Sequence, residues 1–340
     1  MKTRIILAAA AVFSLAACNK EQGPEFPAQP NESERTPLTV SIASLMTKAT
    51  GVSADDEAKV NTLQVLVFNG DALDAYGKAS GASQLTLSCT AGERSVYAVV
   101  NAEEDFDGIS SKASFLAKGS KLAGNSLSGF VMAGSTTANL PSTAAVNIDV
   151  NRIAARMMVR KITSAFEGAQ AGVDFTVDAI YATNVAGEQT KLFEANASLA
   201  ADATWFNKMK WEASAADALV KDALTGVNLK GAKSHDTAHS FYVYPNPSED
   251  DANAGTWSPR HTRLVIEATI AGTKYYYPLT MPKLESNKSY EINEVIIKHL
   301  GSSDPDTPVS ATDVSFQVTV KDWTQVIVSG DGETGGKWTI

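Results

Sequence analysis

The amino-acid sequence predicts a mainly β protein made of two tandem β-sandwich domains with few short helices. Apolar and polar residues alternate with period two in many short segments, and Gly, Asn, Asp and Pro separate those segments. The length of 340 residues exceeds what one small domain needs. Hydrophobic residues make up 44% of the chain and charged residues 20%, so the chain can bury a core.

The period-two segments occur in both halves of the chain. In the first half they are 38–42, 63–68, 85–87, 96–100 and 146–150. In the second half they are 241–244, 263–266, 275–279, 290–297 and 314–320. Short strands between turns favour sandwiches over parallel α/β sheets. Only 110–118 and 214–225 are predicted as helices, the second of them ending at Gly226.

Residues 1–17 are predicted to be the signal peptide of a bacterial lipoprotein. A basic start precedes an apolar run that is too short to span a bilayer, and residues 15–17 resemble a lipobox before Cys18. Cys18 is therefore the predicted lipidation site, and its lipid would attach the precursor to the outer membrane. Residues 18–37 hold four prolines among polar residues and are predicted to be a disordered tether.

Four further segments follow the tether. They are a removable first-strand segment at 38–48, an N-terminal β-sandwich domain at 49–147, a C-terminal β-sandwich domain at 148–300, and a linker with a last strand at 301–340. The domain boundary is placed near 147 because the stretch 119–145 reads as loop-rich.

Charge and side-chain chemistry disfavour several classes of function. The net charge is −9 and no run of basic residues exceeds two, which argues against nucleic acid as a partner. No nucleophile, base and orienting group can be recognised together, so we predict no enzyme, no cofactor and no metal site. His235 and His239 have a zinc-like spacing without a third ligand, and we interpret them as part of a polar loop. Cys89 alternates within a strand and is predicted to be buried.

The C-terminal segment combines a linker with an amphipathic strand. Residues 301–308 are rich in Ser, Asp and Pro, and an alternating strand follows them. Its apolar face consists of Val314, Phe316, Val318 and Val320. Such a strand can complete its own sheet or be donated to a neighbouring molecule, and the pattern alone favours the first. Trp323 would anchor the end of the strand by packing.

Short segments in order along the chain together resemble the FimA-type major fimbrial subunits, the type V pilins of Bacteroidales. Besides the lipoprotein signal they are 48–60, 63–70, 151–157, 241–244, 287–290, 301–305 and 320–323. The resemblance runs from end to end of the chain. It implies Greek-key, transthyretin-like sandwiches and a structural protein of the cell surface.

The resemblance also implies how the protein matures. A trypsin-like protease removes the first strand of the lipoprotein precursor, and the C-terminal strand of another subunit takes its place. The core-facing residues of the removed strand would be Leu38, Val40 and Ile42. The cut would fall between Lys48 and Ala49, where the family usually has Arg instead of Lys.

A protease that accepts only Arg would cut at Arg35 and leave the first strand in place. The cleavage site therefore decides whether the mature surface protein loses or keeps its first strand.

With the resemblance, donation of the C-terminal strand becomes the favoured interpretation. Its donor residues are Val314, Phe316, Val318, Val320 and Trp323. The expected function is a structural pilin subunit of a surface fimbrium, polymerised by strand exchange to support adhesion. Its expected partners are copies of itself, related fimbrial subunits and the maturation protease. The alternative is a non-polymerising fimbrial anchor or surface lipoprotein adhesin that keeps its lipid and first strand.

Overall fold

The structure is a computed structural model that describes residues 35–42, 54–186, 189–194, 205–250, 257–323 and 336–338. Strands dominate these residues, and the α-helices among them have four or five residues each. The predicted mainly β fold with few short helices is confirmed. Within the described ranges, no helix has the length and apolar character that crossing a membrane requires.

The elements follow one another in this order. The first part of the chain holds β1 (Thr36–Ile42), α1 (Ala54–Glu57), β2 (Thr62–Asn69), β3 (Ala72–Ser80), β4 (Gln84–Cys89), β5 (Gly92–Val100), α2 (Lys112–Leu116), β6 (Gly119–Lys121), β7 (Met132–Leu140), β8 (Ala145–Ile148) and β9 (Asn151–Arg152). The second part holds β10 (Ala155–Val159), β11 (Ile162–Ser164), β12 (Phe175–Thr183), β13 (Gln189–Lys191), α3 (Asp217–Val220), β14 (Lys221–Asn228), β15 (Ser234–His235), β16 (His239–Val243), β17 (Arg263–Ile270), β18 (Thr273–Thr280), β19 (Lys288–Ile292), β20 (Val295–Ile297), β21 (Val314–Ser315), β22 (Val318–Asp322) and β23 (Gly336–Trp338). Short 3₁₀ helices cover Leu122–Gly124 and Gly168–Gln170.

Two sheets pack face to face in the first part of the chain. The larger has the strand order β3-β2-β5-β7-β9, and the smaller has the order β4-β1-β8. Their shared core contains Leu38, Val40, Ile42, Leu63, Val65, Val67, Leu87, Cys89, Val96, Ala98, Val100, Met132, Ala138, Leu140, Ile148 and Val150. The prediction that Cys89 is buried is confirmed.

The second part forms another layered β structure. One layer has the order β16-β10-β19-β22-β23 and continues, after short breaks in its strands, as β15-β11-β20-β21. The other layer has the order β14-β12-β17-β18. The pairing of β6 with β13 joins the first part of the chain to the second.

The predicted helix at 214–225 is wrong beyond its first few residues. α3 ends at Val220, and β14 follows at once and pairs with β12. Gly226 lies inside β14 with φ of 74°, close to the point where the register with β12 shifts. Pairing with β12 satisfies the backbone groups of this segment, so tertiary context outweighs the helical spacing of its apolar residues.

The stretch 119–145, predicted to be loop-rich, contains the nine-residue strand β7. Its sequence, MAGSTTANL, holds mostly small and polar residues, so it lacks a strong period-two pattern. Neighbours on both sides, β5 and β9, hold it in the sheet. Through β9 that sheet extends to Arg152, beyond the boundary predicted near 147. The division into domains stays a prediction.

A close backbone approach at Gly134 gives a test of the packing between β7 and the segment after β8. A Cβ there would lie 2.2 Å from the backbone oxygen of Asp149 and 2.9 Å from Cγ2 of Ile148. We expect Gly134→Ala to lower the free energy of unfolding by about 1–3 kcal/mol, because the backbone would have to move. Urea unfolding followed by circular dichroism measures this change.

The matched control is Gly172→Ala, because nothing lies within 4 Å of a Cβ at that position. Its free energy of unfolding should change by less than about 0.5 kcal/mol. Equal losses in the two variants would contradict the close approach at Gly134.

Candidate functional site

The first described strand, β1, fills a groove in the N-terminal sandwich. It runs antiparallel to β4 on one side and parallel to β8 on the other. Leu38, Val40 and Ile42 lie on one face of β1 and are buried in the core. Without β1, an apolar groove with unpaired backbone groups on both sides would remain, and another strand of the same pattern could fill it.

The apolar side chains of β1 determine how much free energy is lost when the groove is emptied. Burying three aliphatic side chains stabilises the sandwich by roughly 5–9 kcal/mol before ordering costs. Loss of β1 is therefore comparable to the whole stability of a typical domain. An emptied groove would bind a replacement strand with a strong driving force.

Arg35, the alternative cleavage residue, is held in place at the start of β1. Its guanidinium donates hydrogen bonds of 2.7 Å to the backbone oxygens of Ser88 and Asp74. It also lies 3.4 Å from the buried Asp74 carboxylate, which Arg94 binds at 2.9 Å. A trypsin-like protease must take the arginine side chain into its own pocket, so these bonds oppose cleavage at Arg35.

Three predicted site residues lie outside the described residues. They are Cys18, Lys48 and Ala49. The lipidation site and the cleavage site therefore stay predictions.

The predicted donor strand lies in the C-terminal sheet of this same chain. β21 pairs with β20, and β22 pairs with β19. Val314, Val318 and Trp323 are buried in the core, and Phe316 and Val320 pack against it. The apolar face of this strand therefore completes the core of its own sandwich, as the alternating pattern by itself favoured, and its donation to a neighbouring molecule stays a prediction. A charge at Val318 would disrupt that core.

Residues 301–308, predicted to be a linker, are fixed to the C-terminal sandwich by Asp306. The Asp306 carboxylate is buried and binds Arg260 at 2.7 Å and Arg263 at 3.0 Å. The side-chain amide of Asn184 donates a further bond of 3.0 Å to it. Two buried guanidinium groups need an anion nearby, and Asp306 supplies it. The Ser, Asp and Pro composition of the segment gave no sign of this role.

A buried carboxylate joins α1 to the C-terminal sandwich. Glu57 is 0% exposed, and Nη1 of Arg156 donates to both of its carboxylate oxygens at 3.1 and 2.9 Å. The Tyr242 hydroxyl and the Trp323 indole N–H donate to the same carboxylate at 2.7 and 2.9 Å. Nε of Arg152 donates to the Glu57 backbone oxygen at 3.0 Å. We call these five residues the Glu57 hub.

The two arginines of the Glu57 hub, Arg152 and Arg156, are both buried. Burial lowers the pKa of Arg152 to about 10. Its guanidinium lies 4.6 Å over the Trp323 ring. Arg156 also lies 3.6 Å from the carboxylate of Glu291. Sequence reasoning missed Glu57 because it follows two aspartates and so reads as a solvated turn.

Comparisons with known proteins match the first part of the chain to a family. A family model described as the major fimbrial subunit protein, FimA, matches residues 36–185. The major fimbrium subunit FimA type-2 of Porphyromonas gingivalis is 29% identical over 104 residues, which cover 30% of this chain and 26% of that protein. The aligned part thus spans about a quarter of that curated relative. The predicted resemblance is confirmed.

Solved structures share the fold over most of the chain. A fimbrilin from Porphyromonas gingivalis superposes with a TM-score of 0.64 at 15% identity, covering 87% of this chain and 99% of that one. The tip fimbrial protein of the same organism, in a C-terminally truncated form, gives 0.52 at 14% identity and covers 85% and 100%. At these identities the likeness concerns the fold alone.

The contribution of the Glu57 hub to stability can be tested by removing the charge of the Glu57 side chain. We expect Glu57→Gln to lower the free energy of unfolding by about 3–5 kcal/mol, because the buried guanidinium of Arg156 loses its ion pair. Tyr242→Phe, which removes one hydrogen bond to that carboxylate, should cost about 1.5–3 kcal/mol. Urea unfolding monitored by tryptophan fluorescence measures both changes.

The control is Glu212→Gln, because this glutamate side chain is 54% exposed and its ion pair with Lys210 is 3.9 Å long. Its effect should stay within about 0.5 kcal/mol. A hub variant as mild as this control would mean that the buried carboxylate contributes nothing to stability.

The Cys89 thiol should report whether β1 is in place. Its residue pairs with Thr36 of β1, and burial, with the negative charge of Asp74, raises its pKa to about 11. Only the thiolate reacts, so at about pH 8 the folded chain should react with a thiol reagent at least ~100-fold more slowly than the unfolded chain. The Cys18→Ser variant isolates this thiol, and the rate should rise as the pH approaches 11. Equal rates in folded and unfolded chains would show that the groove is open.

Proposed function

We propose that this protein, whose residues 36–185 match the family model of the major fimbrial subunit protein FimA, is a structural subunit of a surface fimbrium. It is exported as a lipoprotein with lipid on Cys18 and trimmed between Lys48 and Ala49. It then polymerises by β-strand exchange with copies of itself and related subunits, and the fimbria support adhesion. Its role is structural and not enzymatic.

The position of β1 is the observation that carries this proposal. β1 is a central strand of its sheet, and it is also the first element of the described chain. A cut after it would separate it from the sandwich and leave every other described strand in one chain. The emptied groove would then offer two strand edges and an apolar floor to a donor strand.

Because β21 and β22 pair within this chain's own sheet, we place the proposed donor segment closer to the C-terminus. Every residue from Val314 to Trp323 lies in or beside this chain's own sheet, so donation of that segment would open its own core. The proposed donor is therefore the segment 324–340, which follows Trp323. Its described residues, β23, pair with β22 as the outer strand of the sheet, so their donation would expose the edge of β22 and leave Val314, Val318 and Trp323 in the core. Val326 and Val328 alternate with other residues there, as the core-facing residues of β1 do. Fully extended, the segment reaches about 55 Å at ~3.3 Å per residue.

The bonds of Arg35 support Lys48 as the cleavage site. Cleavage at Arg35 would break its contacts with Ser88 and Asp74 and still leave β1 in its groove. The maturation protease in this proposal is trypsin-like and accepts lysine.

A non-polymerising anchor or surface adhesin is the second candidate. Lys48, which stands where the family usually has Arg, favours it. The two candidates differ in their mature N-terminus: Ala49 in a fimbrial subunit, and lipidated Cys18 in an anchor. N-terminal sequencing and intact mass of the protein sheared from cells distinguish them.

Limited digestion with a lysine-specific protease tests the mechanism in the Cys18→Ser background. We expect the cut chain to form multimers that resist dissociation on an unboiled gel, with Cys89 protected again. A chain that lacks 324–340 should be cut equally well, stay monomeric and expose Cys89 to the thiol reagent. The Lys48→Gln variant should not be cut at this position, so it should neither form multimers nor expose Cys89.

Two results would contradict strand exchange through this segment. One is multimer formation by the chain that lacks 324–340. The other is a cut chain that stays monomeric with Cys89 still protected, because β1 would then have remained in its groove.

A further inference from the structure

Three edge strands of the C-terminal sandwich meet at a chain of polar side chains that the proposed function does not use. Asp222 lies on β14, His235 on β15 and His239 at the start of β16. Each of these strands is the outer strand of its sheet. His239 is 6% exposed, so the interpretation of the histidine pair as a polar loop is wrong.

The hydrogen bonds orient the two imidazole rings towards each other. Nδ1 of His239 lies 2.6 Å from a carboxylate oxygen of Asp222, and its Nε2 lies 2.8 Å from Nε2 of His235. An ionised carboxylate only accepts, so His239 carries its proton on Nδ1 and has a lone pair on Nε2. The proton between the two rings then belongs to His235.

We propose that His235 and His239 bind a divalent transition-metal ion such as Zn²⁺ through their Nε2 atoms. The ion takes the place of the proton between the rings, and His235 then carries its one proton on Nδ1 after exchange with solvent, so both ligands remain neutral imidazoles. A carboxylate that accepts from the far nitrogen of a ligating histidine is the arrangement that orients such ligands in metal sites, and Asp222 occupies that position. Imidazole nitrogen favours zinc, copper and nickel over calcium and magnesium.

Binding requires the two rings to separate and to turn. Two nitrogens at about 2.0–2.1 Å from a tetrahedral ion lie about 3.3 Å apart, so the two Nε2 atoms must separate by about 0.5 Å. The rings now meet nearly head-on, with centroids 5.1 Å apart, so each must also turn until its Nε2 lone pair points at the ion. His235 is half-buried and lies on a two-residue edge strand, which leaves room for that movement.

Water completes the coordination. In the part of the chain that the structure describes, no group of three or more His, Cys, Asp or Glu side chains surrounds a common point. The site therefore has two protein ligands and open positions towards solvent, where the Asp222 side chain is 47% exposed. The Asp236 carboxylate next to His235 adds negative charge, which Lys161 offsets only at 3.8 Å.

A bound ion would crosslink the edges of the C-terminal sandwich. It would join β15 directly to β16, and through Asp222 it would tie β14 to the same point. Because a ligand that binds only the folded state stabilises it, zinc should raise the thermal unfolding midpoint.

Zinc chloride titrated into the purified, untagged full chain near neutral pH tests the site by calorimetry. We expect one ion bound per chain and a higher unfolding midpoint, and neither of these with calcium chloride. Asp222→Asn should weaken zinc binding about 10–100-fold through loss of the orienting carboxylate. His235→Ala should abolish binding, and the control His299→Ala, at an exposed histidine elsewhere, should leave it unchanged.

The half-buried position of His235 makes its variant the deciding one, since truncation there removes little from the core. Absence of saturable zinc binding in the unmodified chain would overturn the proposal, as would unchanged binding in His235→Ala. Neither result bears on the fimbrial role, which depends on other residues.

Discussion

The buried carboxylate of Glu57 is the constraint around which the rest of the structure is arranged. Its partners come from three distant parts of the chain: Arg156 from β10, Tyr242 from β16 and Trp323 from the end of β22. An isolated charge in the protein interior is strongly unfavourable, so Glu57 can be buried only where these donors converge. Its burial fixes α1 against the C-terminal sandwich and fixes the last strands to the same point.

This constraint distinguishes the part of the chain that buried ion pairs hold in place from β1, which precedes that part. Between Glu57 and Trp323, the sheets and a second buried ion cluster around Asp306 hold the backbone in place. β1 lies before the hub and is held by its strand pairing, its three buried side chains and the bonds of Arg35. The proposed strand exchange would require donor and acceptor to change partners without unfolding the body of the subunit.

Period-two patterning located most strands correctly, because a half-buried strand repeats its apolar residues whatever surrounds it. Leu63 to Phe68 and the alternating residues of β1 are examples. The pattern failed for β7, whose small polar residues are held by neighbours on both sides, and for the segment after Val220, whose helical spacing is outweighed by pairing with β12. In both cases the deciding backbone partners are far away in the sequence.

Residue order alone therefore determined the mainly β class, the apolar row on β1, the burial of Cys89 and the likeness to fimbrial subunits. These features depend on local alternation and short motifs, which a chain carries wherever it folds. Only the tertiary structure decided that Glu57 and Asp306 are buried ion centres, that the strand ending at Trp323 completes its own core, and that two histidines face each other across a sandwich edge. Burial of a polar group depends on which partners the fold brings to it, and Trp323 lies 266 residues from Glu57.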